Sequence, residues 1–501
     1  MRSCSFFQGT VILTVSSLLI KFLGFFYKIF LAQAMGAEGM GIYQLIFPVF
    51  AVCHSLTSSG LEVAISRFTA RSRGHEQSDY LWAGLFLTLT SSLVIGLFLW
   101  TRSDFIALTL LHETRCAPLL KFLAATIPLA GFHGCFCGFC LGRKNASLPA
   151  FSQLTEQAVR IGSVWLLYHI FLQEGMEITP MLATAGLLTG EIASVLFILT
   201  FAANKTLLPS SLSACFHRCR TLLTMSIPVT ASRVSLTLLQ SVEAVLIPLS
   251  LRQSGLSSTE ALSLYGILTG MSLSFLLFPN AVTSSLSAML LPVISEEQAK
   301  GNMQKISQAI EYTLLFGMNI GILCMGVFLR FGKELGTLCF HQPLAGEFLQ
   351  TLAWICPFLY LSGNLSSILH GLGKTSVTFF NQLAALLVRI FCIVLFVPFT
   401  GIQGVLWGLL AGELLLSFLD IRSVASYVTP SIGLDAYVLK PAAAMLLSIG
   451  GIHMLKPAAS ILGLFFQIAL MGLGYLLLLF SFGIWKLLRP LFCVKVMYLQ
   501  P

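Results

Sequence analysis

Gln153-Leu154-Thr155-Glu156-Gln157-Ala158-Val159-Arg160-Ile161 is echoed further along the chain by Gln382-Leu383-Ala384-Ala385-Leu386-Leu387-Val388-Arg389-Ile390. Each stretch is preceded by Leu-Gly-basic, as Leu141-Gly142-Arg143 and Leu372-Gly373-Lys374. Each is followed by a Gly-Leu-Leu-x-Gly-Glu run, Gly186 to Glu191 and Gly408 to Glu413. Three matches in the same order make an internal repeat. What kind of repeat depends on what lies between the copies.

The surrounding chain is apolar. Of 501 residues, 56% are hydrophobic and 10% are charged, whereas a soluble domain carries about 25% charged residues. Mean hydropathy is +0.88. A spanning helix needs about 20 apolar residues. Fourteen stretches of that length occur, beginning with 9–33, 42–66, 80–100 and 117–140 and ending with 438–455 and 461–485. The composition excludes a soluble enzyme, a disordered chain and a secreted disulfide scaffold. The thirteen cysteines are scattered and read as small buried hydrophobes. The first apolar run, Gly9 to Ala34, is too long for a signal-peptide core and reads as a retained helix.

The two copies lie six helices apart. Six is even, so both copies keep one orientation in the membrane, a parallel repeat about an axis along the membrane normal. The expected fold is an all-α multi-pass membrane protein of about fourteen transmembrane helices. Two six-helix lobes, 1–204 and 205–422, are followed by two added helices in 423–501. In such a fold the substrate path runs between the lobes. With the N-terminus placed inside, seventeen basic residues fall in cytoplasmic segments and seven outside. The positive-inside rule therefore puts both termini in the cytoplasm. The net charge of +9 comes from these short loops, so nucleic acid is not an expected partner.

Charges at bilayer depth are costly and mark function or pairing. Lys21 and Lys28 are seven residues apart and share a helical face with Ser17 and Gly24. Arg233 lies midway along the seventh helix, with Gln240 on the same face and Glu243 to one side. Lys21, Lys28 and Arg233 are the candidate substrate contacts, and the first helix holds no carboxylate to oppose them. A wall of this sign suits an anion, phosphate or pyrophosphate, through charge-assisted hydrogen bonds. Arg160 and Arg389 are repeat-related, and Glu156 stands four residues before Arg160, the spacing of a local salt bridge. Glu191 and Glu413 either pair with those arginines or couple transport to protons. Glu62 is expected to pair with nearby Arg67. His133, Cys137 and Cys140 share a face of the fourth helix, but their helical spacing is not that of a metal site. No Walker loop, HExxH motif or catalytic carboxylate pair occurs, so neither an enzyme activity nor a cofactor is expected.

The first two helices also carry a resemblance. Lys21-Phe22-Leu23-Gly24-Phe25, Leu31-Ala32, the run Gly36-Ala37-Glu38-Gly39-Met40-Gly41-Ile42-Tyr43-Gln44, Ser59-Gly60-Leu61 and Ala64-Ile65-Ser66-Arg67 resemble the stage V sporulation protein B family. Ile227-Pro228-Val229-Thr230 and the segment from Pro279 to Leu291-Pro292 fit the second lobe of that family. These are polysaccharide-biosynthesis membrane proteins of the multidrug/oligosaccharidyl-lipid/polysaccharide flippase superfamily. The resemblance implies an alternating-access carrier of a lipid-linked saccharide, an undecaprenyl-pyrophosphate peptidoglycan precursor of cell wall or spore cortex. It implies a home in the cytoplasmic membrane, with membrane lipids and cell-wall glycosyltransferases as partners. Lys21 matches the basic residue that related lipid II flippases carry just before Leu-Gly-Phe, and Arg67 joins the substrate-binding set. Two readings stand beside it: a cation-coupled multidrug exporter on the same fold, marked by an acidic cavity, and a membrane scaffold of wall synthesis without transport.

Overall fold

The structure, a computed structural model, describes residues 2–203, 211–280, 282–284, 294–295, 297–427, 433, 435–454 and 460–484. The break at Thr429-Pro430 and the Leu291-Pro292 segment lie outside them. Among the described residues there is no strand, and twelve helices are long and apolar enough to cross a membrane. Each of the fourteen expected stretches falls largely on helix among the described residues. The first two are continuous within one 58-residue span, Thr14–Arg71. The fifth is the 27-residue helix Ser147–Gln173, whose Glu156 and Arg160 make it more polar than its neighbours.

The chain divides into two compact units, 1–266 and 267–501. The first unit holds α1 (Arg2–His54), α2 (Gly60–Arg71), α3 (His75–Thr101), α4 (Cys116–Gly142), α5 (Ser147–Gln173), α6 (Met181–Ala203), α7 (Leu212–Gln253) and the start of α8 (Ser258–Leu277). The second holds the rest of α8, then α9 (Met303–Phe340), α10 (Pro343–Gly371), α11 (Thr375–Thr400), α12 (Ile402–Ala425), α13 (Asp435–His453) and α14 (Ile461–Ser481).

Helices in lipid gain little from apolar contact with one another, so close packing of small residues holds them. In the first unit α1 breaks at Gly36, whose φ of 71° only glycine adopts at low cost. The new segment then lies on α8 backbone to backbone: a Cβ on Gly41 would strike the Leu262 carbonyl oxygen, and one on Gly266 would strike that of Ala37. A turn of π-helix, Ser55–Ser59, joins α1 to α2. The core around it gathers Leu61, Ile65, Leu81, Phe136, Phe139 and Leu222 from α2, α3, α4 and α7. In the second unit α9 packs on α10, α13 and α14, and α11 pairs with α12. Outward faces carry residues such as Leu97, Phe98, Phe466 and Leu477, as lipid-facing surfaces require. The cysteines from Cys53 to Cys392 are free thiols, and most are buried.

Candidate functional site

A cavity of about 370 Å³ opens within the first unit. Its titratable lining is His54 from α1, Glu62 from α2, His133 and Cys137 from α4, Glu156 and Arg160 from α5, and Glu191 from α6. Local rules explain how they meet. Gln153, Glu156, Gln157 and Arg160 recur at three- and four-residue spacing and so share one face of α5. Gly190 lets α6 approach that face: a Cβ there would lie 2.9 Å from the Glu156 carbonyl oxygen and 3.2 Å from Arg160 Cβ. The approach sets Glu191, the next residue, beside the α5 face.

His133 is at the centre and is 6% exposed. Its Nδ1 lies 3.4 Å from Glu191 Oε2, 3.6 Å from Glu156 Oε2 and 3.2 Å from Ser194 Oγ. Its Nε2 lies 3.0 Å from Ser152 Oγ. Arg160 donates from Nη2 to Glu156 Oε1, so the expected local pair is present. The His133, Glu156 and Glu191 ligand atoms fall within 4.8 Å of one another, the geometry of a cation or proton site. The sequence reading grouped His133 with Cys137 and Cys140 of its own helix. Cys137 does stand beside the ring, but Ser152, Glu156, Glu191 and Ser194 come from α5 and α6, and only the shared face of α5 hinted at them.

Two expectations change here. Glu62 was expected to pair with Arg67, but it lines the cavity beside Gly134, while Arg67 is exposed. An amine-rich wall was expected, yet three carboxylates stand in this cavity against one guanidinium. Ile20 reaches the cavity, whereas Lys21 is exposed and Lys28 half-buried. Consecutive helical residues point about 100° apart, which separates the two. Arg233 is exposed and donates from Nη1 to the carbonyl of Ser59, 3.4 Å away in the π turn. Its charge reaches both His54 and Glu62. Glu243 is buried on α7.

A second polar cluster joins the loop before α4 to the end of α7. Arg115 donates to Glu113 at 2.8 Å and to Glu38 at 2.6 Å. Arg252 donates to the His112 carbonyl at 2.9 Å and stands 3.7 Å from Glu113. Burial pushes the Glu113 carboxyl up, but the hydrogen bonds and charge of Arg115, with the charge of Arg252, hold it below its ordinary value. In the second unit the repeat-related Glu413 accepts from Ser362 Oγ at 2.6 Å, and Arg389 adds its charge. Asp420 accepts from Asn381 at 2.7 Å and from Ser366 at 3.0 Å.

An all-helical, multi-pass chain with buried charge around an internal cavity is the architecture of a membrane transporter. Residues 6–298 match the polysaccharide biosynthesis protein family, and residues 239–413 match the MatE family. The chain belongs to the polysaccharide biosynthesis protein family. It is 30% identical to stage V sporulation protein B of Bacillus subtilis (strain 168) over 456 residues, 88% of this chain and 87% of that protein. It is 21% identical to the lipid II flippase MurJ of the same organism over 466 residues, 85% of this chain and 84% of that one. Among solved structures, a lipid II flippase MurJ in an inward closed conformation matches with a TM-score of 0.75 at 15% identity, over 94% of this chain and 98% of that one. An inward-facing multidrug resistance MATE transporter matches with a TM-score of 0.66 at 15% identity, over 83% of this chain and 98% of that one. The chain is thus a multi-pass membrane protein of this family and shares its fold with a lipid II flippase and a MATE transporter.

Proposed function

We propose that the protein carries an undecaprenyl-type lipid-linked saccharide, a peptidoglycan precursor for cell wall or spore cortex, across the cytoplasmic membrane by alternating access. The carrying observation is the fold, shared along nearly the whole chain with a lipid II flippase in a chain of the polysaccharide biosynthesis family. Lys21, Lys28, Arg233 and Arg67 hold the anionic head group. The two repeats, 1–204 and 205–422, act as lobes that rock about the substrate. Residues 423–501 add two helices with few charges, whose groove takes the lipid tail. Both termini face the cytoplasm, where the membrane enzymes of wall synthesis, glycosyltransferases among them, supply the substrate. The transport step makes and breaks no covalent bond.

A second reading has one observation in its favour. Glu62, Glu156 and Glu191 line the cavity, as suits an exporter of organic cations driven by a cation gradient. The two readings separate in proteoliposomes. A fluorescent lipid-linked disaccharide pyrophosphate should cross with the wild-type protein and stall with the Lys21→Ala/Arg233→Ala double variant. Failure of the folded wild type to move it under an imposed potential or proton gradient, with export of organic cations instead, would establish the second reading.

A further inference from the structure

The hydrogen-bond directions around His133 identify what the cavity binds. Ser152 Oγ donates its one proton to the Pro149 carbonyl at 3.0 Å. Toward His133 Nε2 it therefore offers a lone pair. Ser194 Oγ donates to the Glu191 carbonyl at 2.9 Å, with Glu191 Oε2 at 3.4 Å as its other acceptor. Toward Nδ1 it too offers a lone pair, beside the carboxylates of Glu191 and Glu156. Both ring nitrogens thus face oxygen acceptors. A neutral imidazole has one N–H and satisfies one such side, and the imidazolium satisfies both. The Cys137 thiol, one turn on along α4, is the weak donor that remains near the ring.

Charge balance agrees. Glu156 and Glu191 carry two negative charges, and Arg160 carries one positive. An imidazolium at His133 brings the four groups to zero, and a neutral ring leaves one uncompensated negative charge in a buried place. From the other elements, Glu62 and His54 face the same cavity from α2 and α1, and Arg233 on α7 acts on both. A metal ion would need a lone pair from the ring and free carboxylate oxygens. Both ring nitrogens are directed at acceptors, and of the two Glu156 oxygens Oε1 is already held by Arg160 while Oε2 faces the ring.

We infer that His133, clasped between Glu156 and Glu191 and backed by Ser152 and Ser194, is a proton-binding site whose occupancy is linked to that of an anionic head group held beside the cavity. The linkage is electrostatic and reciprocal: a proton on His133 cancels one of the negative charges that the cavity acids set against an anionic head group, and the bound anion favours that proton equally. This rests on the head-group reading above. It also reconciles the carboxylate-lined cavity with an anionic substrate, because two of the three acids are neutralised from within.

Two measurements on the full-length protein in nanodiscs test it. With 15N-labelled histidine, the His133 signal, assigned by its absence in His133→Gln, should show both nitrogens protonated near neutral pH and one proton lost as the pH is raised. At the raised pH where the ring of the empty protein has lost that proton, added undecaprenyl pyrophosphate should bind with uptake of up to about one proton per wild-type chain and none in His133→Gln. Should His133→Gln not fold, Ser152→Ala, which deletes one acceptor, should alter the imidazolium fraction at fixed pH and the proton uptake with it. A neutral ring throughout, an imidazolium that never releases its proton, equal uptake by His133→Gln, or displacement of the ring protons by added Zn²⁺ would each overturn the inference. Failure of the probe to bind would sink the head-group reading and the linkage, with the ring's protonation still judged by the first measurement.

Discussion

The two repeat-related helix pairs have one skeleton and different contents. In the first unit, α6 lies on α5 through Gly190, against the Glu156 carbonyl and the Arg160 stem. In the second, α12 lies on α11 through Gly412, where a Cβ would stand 3.2 Å from the Ala385 carbonyl and strike the Arg389 stem. Gly186 and Gly408 repeat the correspondence one turn earlier, against the Arg160 and Arg389 carbonyls at 3.3 and 3.6 Å. The following glutamates diverge. Glu191 meets a histidine and a second carboxylate at the edge of a cavity, whereas Glu413 takes a serine hydroxyl and its neighbour Asp420 an amide and a serine. Ala385 stands where the first copy has Glu156. The repeated scaffold thus keeps its packing while the first copy gathers a histidine and carboxylates around a cavity.

The hardest way to break the comparison is to remove one arginine at a time. Arg160→Ala leaves the half-buried Glu156 without its guanidinium partner, a loss of about 1.5–3 kcal/mol. Arg389→Ala should cost clearly less, because Ser362 still holds Glu413. Thermal unfolding in detergent checks both, and equal losses would mean that the two pairs are energetically alike. Gly190→Val and Gly412→Val should act equally instead, each losing about 1–3 kcal/mol through overpacking. A large difference between them would disprove the common skeleton.

Activity should split the copies where packing does not. Glu191→Gln removes a charged partner of His133 worth about 1.5–3 kcal/mol. It should lower translocation roughly tenfold or more and flatten its pH dependence, whereas Glu413→Gln should keep both. The smallest effect belongs outside both helix pairs. Glu113 is held below its ordinary value, so its contribution to stability is complete above the unfolded glutamate range and is lost as the pH falls through its lowered folded value. Glu113→Gln should therefore shrink the acid-side loss of stability by about 1 kcal/mol and leave the pH dependence of transport alone. A variant that changes the transport profile would tie the Glu38–Glu113–Arg115–Arg252 cluster to the proton site.

Much of this was legible along the chain because it is local. Apolar length marked the helices, and the four-residue spacing of Glu156 and Arg160 foretold their pair. The repeat of Gly-Leu-Leu-x-Gly-Glu marked the two places where helices lie backbone to backbone. The sign of the cavity was not legible, because Lys21 and Ile20 differ by one residue and yet point different ways. His133 looked like a member of a cysteine face for the same reason: spacing on one helix is visible, and the neighbour across the gap is not.

Hydropathy and helical period act over a few turns of one segment, so the amino-acid sequence by itself determined the fourteen membrane stretches, the duplication and the family. Only the tertiary structure decided that His133 meets Ser152, Glu156, Glu191 and Ser194. Those contacts join residues 19 to 61 positions apart, and their hydrogen-bond directions depend on angstrom-scale placement that no one-dimensional pattern records. The physical reason is that burying a charge is costly everywhere in the membrane, but which partner repays that cost is a property of three helices at once.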